Sequence, residues 1–213
     1  MNDDDSPPQE DTVKILFIDS CASTYDTTTY MSQPLGGTQS AVASLARSLV
    51  RQGHEVTIIN GTQTPNESEG VHFIGLPCPT PVLNSFDVII LVSATLGQTL
   101  RNLGCTTPLV LWSHHAADQP SIQLLQNPVE RSIYSGFAFV SEWQAHTYVS
   151  AFQIATERLK VLRNAVSPPF LASKQSFSWL RHGNAPVLAY SSTPYRGLDI
   201  LLLAFASIRK NLA

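Results

Sequence analysis

Apolar and polar positions along this chain fall into alternating blocks of two periods. TVKILFIDS, starting at Thr12, is a short apolar run rich in β-branched residues and bounded by polar ones, the pattern of a strand buried on both faces. A polar stretch, CASTYDTTTYMSQPL, then leads to Gly36 and Gly37. Beyond them Val42, Leu45, Ala46, Leu49 and Val50 recur at helical spacing, which predicts one buried helix face. That helix should stop at Gly53, and EVTIIN should be the next strand. Strand, helix and strand in this order make a βαβ unit, whose crossover is right-handed.

The alternation continues. VHFIGLP (71–77), FDVIILVS (86–93), PLVLWSHH (108–115) and GFAFVS (136–141) read as strands. TLGQTLRNLG reads as a short helix closed by Gly104, SIQLLQNPVERSIY as a helix interrupted or started near Pro128, and EWQAHTYVSAF as a helix with Ala145, Tyr148, Val149 and Phe152 on one face. The fold class expected is therefore α/β: a Rossmann-like, mostly parallel sheet with helices on both faces. Ligands of such sheets bind at the carboxyl ends of the strands.

VLRNAVSPPF (161–170) is a short strand-like stretch followed by a turn and a double proline. From Val187 the pattern begins again with a strand, a Ser/Thr/Pro turn and a helix carrying Leu198, Leu201, Leu202, Phe205 and Ile208 inward. So short a segment cannot bury a core of its own, so it either joins the first sheet or opens a second domain. The expected organisation is an acidic, disordered tail (1–11), an N-terminal Rossmann-like domain (12–170), a linker (171–185) and an incomplete second α/β unit (186–213).

Composition narrows the function. The 213 residues are 43% hydrophobic and 14% charged, with net charge −3 and pI about 6.0. No run of Lys and Arg provides the footprint of a nucleic-acid binder. Cys21, Cys78 and Cys105 form no C-x-x-C pair, as expected of reduced thiols in a cytoplasmic protein. The N-terminus lacks the pattern of a secretory signal, and the longest apolar stretch, LDILLLAFASI, is shorter than the roughly 20 residues a bilayer requires.

Polar groups at the expected strand ends are the candidate chemistry: Asp19 with Ser20, Ser93, His114 with His115, and Ser141 with Glu142. Glycine serves where backbone takes φ > 0 or approaches another group closely, and a helix N-terminus presents unpaired N–H groups with partial positive charge. Gly36 and Gly37 therefore describe either an anion seat or an ordinary loop-to-helix junction. Consecutive residues on extended backbone face opposite ways, so His114 and His115 should not share a metal. The remaining histidines show no ligand spacing either, and no metal is expected. G-x-S-x-G, G-x-G-x-x-G and the P-loop pattern do not occur. The residues alone define an α/β ligand binder.

QPLGGTQSAVASLARSLVRQGHEVTII, LWSHHAADQP, FVSEWQAHTY, VLRNAVSPPF and YSSTPYRGLDILLLAF, in this order, resemble the family-4 glycosyltransferases, retaining enzymes of the GT-B fold. The resemblance implies that Gly36 and Gly37 approach the donor diphosphate and that Arg196 neutralises it as it leaves. It implies a catalytic position beside the transferring sugar for His114, with His115 kept as a candidate because relatives often carry an acid there. Asp118, Glu142 and Ser192 become substrate contacts. Gln39 departs from the acidic residue usual after the glycine pair. The family's paired glutamates are missing, so the segment 186–213 reads as the first strand and helix of a truncated donor-binding domain. Such a chain should by itself be inactive or weakly active.

The partners implied are a nucleotide-sugar donor, which is a substrate and not a cofactor, and a carbohydrate, lipid or protein acceptor. The exposed half-domain could drive association, and a lipid acceptor would allow peripheral attachment to a membrane. Two other classes stay open: a non-catalytic α/β ligand- or glycan-binding remnant, and a single-domain nucleotide-dependent α/β enzyme.

Overall fold

The structure is a computed structural model that describes residues 11–166, 171, 188–192 and 196–212. The chain divides into two units, Met1–Ala165 and Val166–Ala213. The first holds an eight-stranded sheet. Its strands are β1 (Lys14–Asp19), β2 (Glu55–Ile59), β3 (Asn66–Ser68), β4 (Val71–Ile74), β5 (Val88–Val92), β6 (Leu109–Ser113), β7 (Tyr134–Phe139) and β8 (Leu159–Val161). They lie in the order β3-β4-β2-β1-β5-β6-β7-β8, and the β3–β4 pair is antiparallel while the other pairs are parallel. The sheet is mostly parallel, as the alternation predicts.

The apolar runs are continuous because both faces of the sheet are covered. Leu16 and Ile18 of β1 enter one core with Ile89, Leu91, Leu109 and Leu111, while Ile15 and Phe17 enter the other with Val56, Ile58 and Trp112. On the second face lies α2 (Gly37–Arg51), which follows the single turn α1 (Thr29–Ser32) and buries Val42, Ala43 and Ala46. On the first face lie α3 (Thr80–Leu83), α4 (Gly97–Asn102), a 3-10 segment (Pro120–Gln126), α5 (Pro128–Ile133) and α6 (Glu142–Phe152). Each fully buried Leu, Ile or Phe contributes about 1.5–3 kcal/mol. As the sequence predicts, α2 gives way at Gly53, whose φ of +91° suits glycine.

Connectivity reverses at β1. From β1 the chain steps outward to β2 and β4, then returns to pair β5 against the opposite edge of β1. The carboxyl ends of β1 and β5 therefore diverge into different loops and leave a crevice between them.

One internal charge fixes the helical layer on the first face. Glu130 is 2% exposed, yet its carboxylate accepts bonds from Gly97 N at 2.8 Å, Gln98 N at 2.7 Å and the Tyr134 hydroxyl at 2.5 Å. It thus caps α4, which has no cap of its own. Burial and Glu130 push the Tyr134 phenol upward, so it stays a donor.

In the second unit α7 runs from Leu198 to Leu212. Leu198, Leu201 and Ile208 are half-buried, whereas Leu202 and Phe205, expected inward, are 64% and 41% exposed. The expected strand from Val187 falls largely outside the described residues, and Leu188–Tyr190 within it form no strand. Nearly all of the expected tail and linker also lies outside the described residues.

Glu130→Gln keeps the size of the side chain but turns an NH2 group toward donors. Chemical denaturation of this variant should show a loss of about 3 kcal/mol, and a loss under 1 kcal/mol would refute the capping role.

Candidate functional site

The site is built on the crevice at the topological switch. Register places Asp19 beside Val92 and Val92 beside Trp112, so the exits of β1, β5 and β6 line up within about 10 Å, two strand spacings. Asp19 ends β1 at 4% exposure. Its carboxylate accepts from the Tyr25 hydroxyl at 2.9 Å, Gln39 Nε2 at 3.0 Å and Cys21 N at 3.2 Å. Burial and this carboxylate push the Tyr25 phenol upward.

Gly36 is the N-cap of α2 and Gly37 its first residue. Neither has a positive φ. Of the two reasons the sequence allows for glycine here, torsion is excluded and room remains. A Cβ on Gly37 would meet nothing within 4 Å, while one on Gly36 would strike only the carboxamide oxygen of Gln39. No side chain caps this helix, so its first N–H groups are left for an outside partner. Gln39 was missed as a site residue. Its Nε2 is committed to Asp19 and its Oε1 is turned toward Gly36, as fits a Gln at the third helical position.

Ser93 follows β5 with φ +51° at 6% exposure, a strained conformation of the kind that clusters at functional sites. Its hydroxyl accepts from His114 N at 2.9 Å, which joins the exits of β5 and β6. The His114 ring lies 4.7 Å from the Trp112 ring, and its Nε2 is 3.2 Å from Asn164 Oδ1. Among the described residues the buried polar side-chain atoms without a hydrogen-bond partner are Arg47 Nε, Trp112 Nε1 and His114 Nδ1. Two of these three belong to one strand end, and unpaired buried groups of this kind are few in native proteins.

His115 faces the other way. Its Nδ1 lies 2.8 Å from Ser121 Oγ, and its carbonyl accepts from Gln144 and Tyr148 on α6. Glu142, exposed at the start of α6, pairs with Arg163 at 2.7 Å, and that guanidinium holds its carboxyl below the ordinary range. Asp118 is exposed in the loop after β6. Ser192 and Arg196 belong to the second unit, both exposed, with Arg196 in the turn before α7. The first unit thus gathers the glycine pair, Asp19, Gln39, Ser93 and His114 along one rim. It leaves His115, Asp118 and Glu142 to other surroundings. Among the described residues no group of three or more His, Cys, Asp or Glu could hold a metal ion, and no helix is long and apolar enough to cross a membrane.

No family model matches the sequence, and no curated protein matches it. Solved structures match the fold. A glycosyltransferase from Rickettsia africae ESF-5 superposes with a TM-score of 0.57 at 13% identity, over 93% of this chain and 58% of that one. Alr3699/HepE of Anabaena, solved in complex with UDP-glucose, superposes with a TM-score of 0.53 at 17% identity, over 92% of this chain and 57% of that one. The likeness is one of fold, a Rossmann-like α/β architecture shared with glycosyltransferases. This chain spans less than two thirds of the length of either structure.

Burial, aided by His115, holds the His114 imidazole below its ordinary range, against the upward pull of Asn164 and of the Asp19 charge. The ring is therefore neutral at pH 7, and the stability tied to its neutral form is present above pH about 6.5 and lost as the pH falls. An NMR titration should place its midpoint below that of a free histidine. Asn164→Ala removes an upward contribution and should move the midpoint lower still; a rise would contradict the contact.

Proposed function

We propose that this chain serves a glycosyltransferase of the retaining, family-4 type with a GT-B architecture, and that its first unit forms one wall of the cleft for a nucleotide-sugar donor. The observation that carries the reading is the uncapped N-terminus of α2, with open space at Gly37, at the switch point of a fold shared with a protein solved with UDP-glucose. Phosphate oxygens accept well from such N–H groups. In the reaction the bond between the anomeric carbon and the diphosphate oxygen breaks, and an acceptor hydroxyl oxygen bonds to that carbon on the same face. The hydroxyl proton passes to the departing phosphate.

Negative charge grows on the diphosphate during this step, and fixed donors at Gly36 and Gly37 stabilise it; Arg196 is the residue to which the family resemblance gives the part of neutralising cation. His114, neutral at pH 7, borders the sugar and hydrogen-bonds a hydroxyl without adding charge to the centre. One observation favours a second reading, a binding protein without turnover: Gln39 presents an amide oxygen where an acidic residue is usual, which weakens any proton acceptance there.

Gly37→Ala separates fold from function. Its Cβ meets nothing within 4 Å among the described residues and alanine suits a helix, so stability should stay level or rise by up to about 1 kcal/mol. Calorimetric titration with UDP, GDP and ADP should show binding of at least one of them, weakened about tenfold or more in the variant. Binding of none, or binding indifferent to the substitution, overturns the reading.

A further inference from the structure

Beyond the crevice, the same rim of the sheet holds an open cavity of about 340 Å³. It opens where β2 and β4 end, on the far side of β1 from β5 and β6. Its walls are Ile74, Leu76 and Val82 with the prolines Pro65, Pro77 and Pro79. No residue that lines it carries a charged side chain. Prolines contribute carbonyls without N–H groups, so the wall is poor in donors. The donors of Thr62 and the side-chain amide of Gln63 are engaged: the Thr62 hydroxyl and N–H both bond Asn60 Oδ1, at 2.6 and 2.9 Å, and Gln63 Nε2 bonds the Gly61 carbonyl at 3.1 Å. Gln63 Oε1 stays open as an acceptor.

The floor is rigid. A Cβ on Gly75 would collide with the Thr62 carbonyl, and one on Gly61 with the Ala22 carbonyl, so the exits of β1, β2 and β4 pack backbone on backbone. A charged ligand finds no counter-charge among the residues that line it. A ligand with apolar faces and hydroxyl donors meets both the walls and the acceptor at Gln63.

We propose that this cavity binds an uncharged, hydroxylated ligand of the size and chemistry of a neutral sugar unit. Four strand spacings separate β4 from β6, which sets it about 19 Å from the strand end that carries His114. A sugar held here is therefore not the reacting group. On the reading of a sugar-transferring enzyme, on which only this extension rests, it is the remote unit of an extended neutral acceptor. A free sugar has the same chemistry.

Cys78 lines the cavity and is half-buried, so it reports occupancy. The full chain is labelled with iodoacetamide at pH 9, where a useful fraction of a thiol pushed up by burial still reacts. Mass spectrometry follows Cys78, and Cys21, equally half-buried but outside the cavity, is the internal control. Glucose, maltose or maltotetraose at high concentration should slow Cys78 relative to Cys21 at least threefold, while glucose 6-phosphate and glucosamine 6-phosphate should not. Val82 is 40% exposed, so Val82→Trp fills the mouth without a buried clash and should remove the effect of sugar. Protection that deepens with glycan length identifies the remote end of an acceptor, and equal protection by glucose identifies a free sugar; either upholds the site. No protection by any neutral sugar, equal protection by the phosphorylated ones, or protection that survives Val82→Trp overturns it. Nucleoside diphosphate binding tests the donor reading separately and leaves Cys78 untouched.

Discussion

The carboxylate of Asp19 is the constraint on which the rim depends. A charge taken out of water must be met by donors, or it costs several kcal/mol. Here the donors come from three places that are otherwise independent: the backbone just after β1, the long polar loop through Tyr25, and the first turn of α2 through Gln39. Satisfying one group therefore folds the loop back over the strand end and fixes where α2 begins. It also decides what the helix leaves exposed. Gln39 spends its amide N–H on Asp19, and with no side chain on Gly36 or Gly37 to cap the helix, its first N–H groups face outward.

Most of the sheet was legible in the sequence because its strands are buried on both faces and read as unbroken apolar runs. β1, β5 and β6 are of this kind, and α2 announces itself by its stripe and its closing glycine. β3 was not legible. Asn66–Ser68 is wholly polar, and it exists because β4 offers a free edge and because Glu69 and Gly70 both take positive φ, at 50° and 80°. That is hairpin-turn geometry, but Glu is a poor advertisement for it. Prolines likewise left the segment before α5 ambiguous, and the chain solves it with a 3-10 stretch followed by an α-helix that starts on Pro128.

The candidate site was legible where chemistry sits at strand ends and illegible where it depends on partners far along the chain. His114 and the glycine pair stand out by position alone. The bond from Asn164 to His114 spans 50 residues, and the burial of Glu130 is invisible in PVERSI, which reads as an exposed helical turn. Gln39 was noticed only as a departure from a family pattern. Its physical part, turning an oxygen toward Gly36 while holding Asp19, needed the geometry of the first helical turn.

The electrostatics of the rim then constrain how phosphate could be recognised. An anion at the start of α2 gains about 0.3–1 kcal/mol from the helix dipole, and up to about 2 in a partly buried setting. The Asp19 charge lies one Gln side chain away, and two like charges on the order of 8 Å apart repel by about 2 kcal/mol at an effective dielectric of about 20. The repulsion matches the largest dipole gain and exceeds the usual one. Among the described residues no lysine or arginine takes part in the contacts of Asp19, Gln39 or His114. On the proposed reading the first unit would orient a diphosphate through the directions of its free N–H groups, while the charge would have to be met by a cation from outside this rim. The division of labour on that reading is physical: directional donors on this wall and neutralising charge from a group outside it.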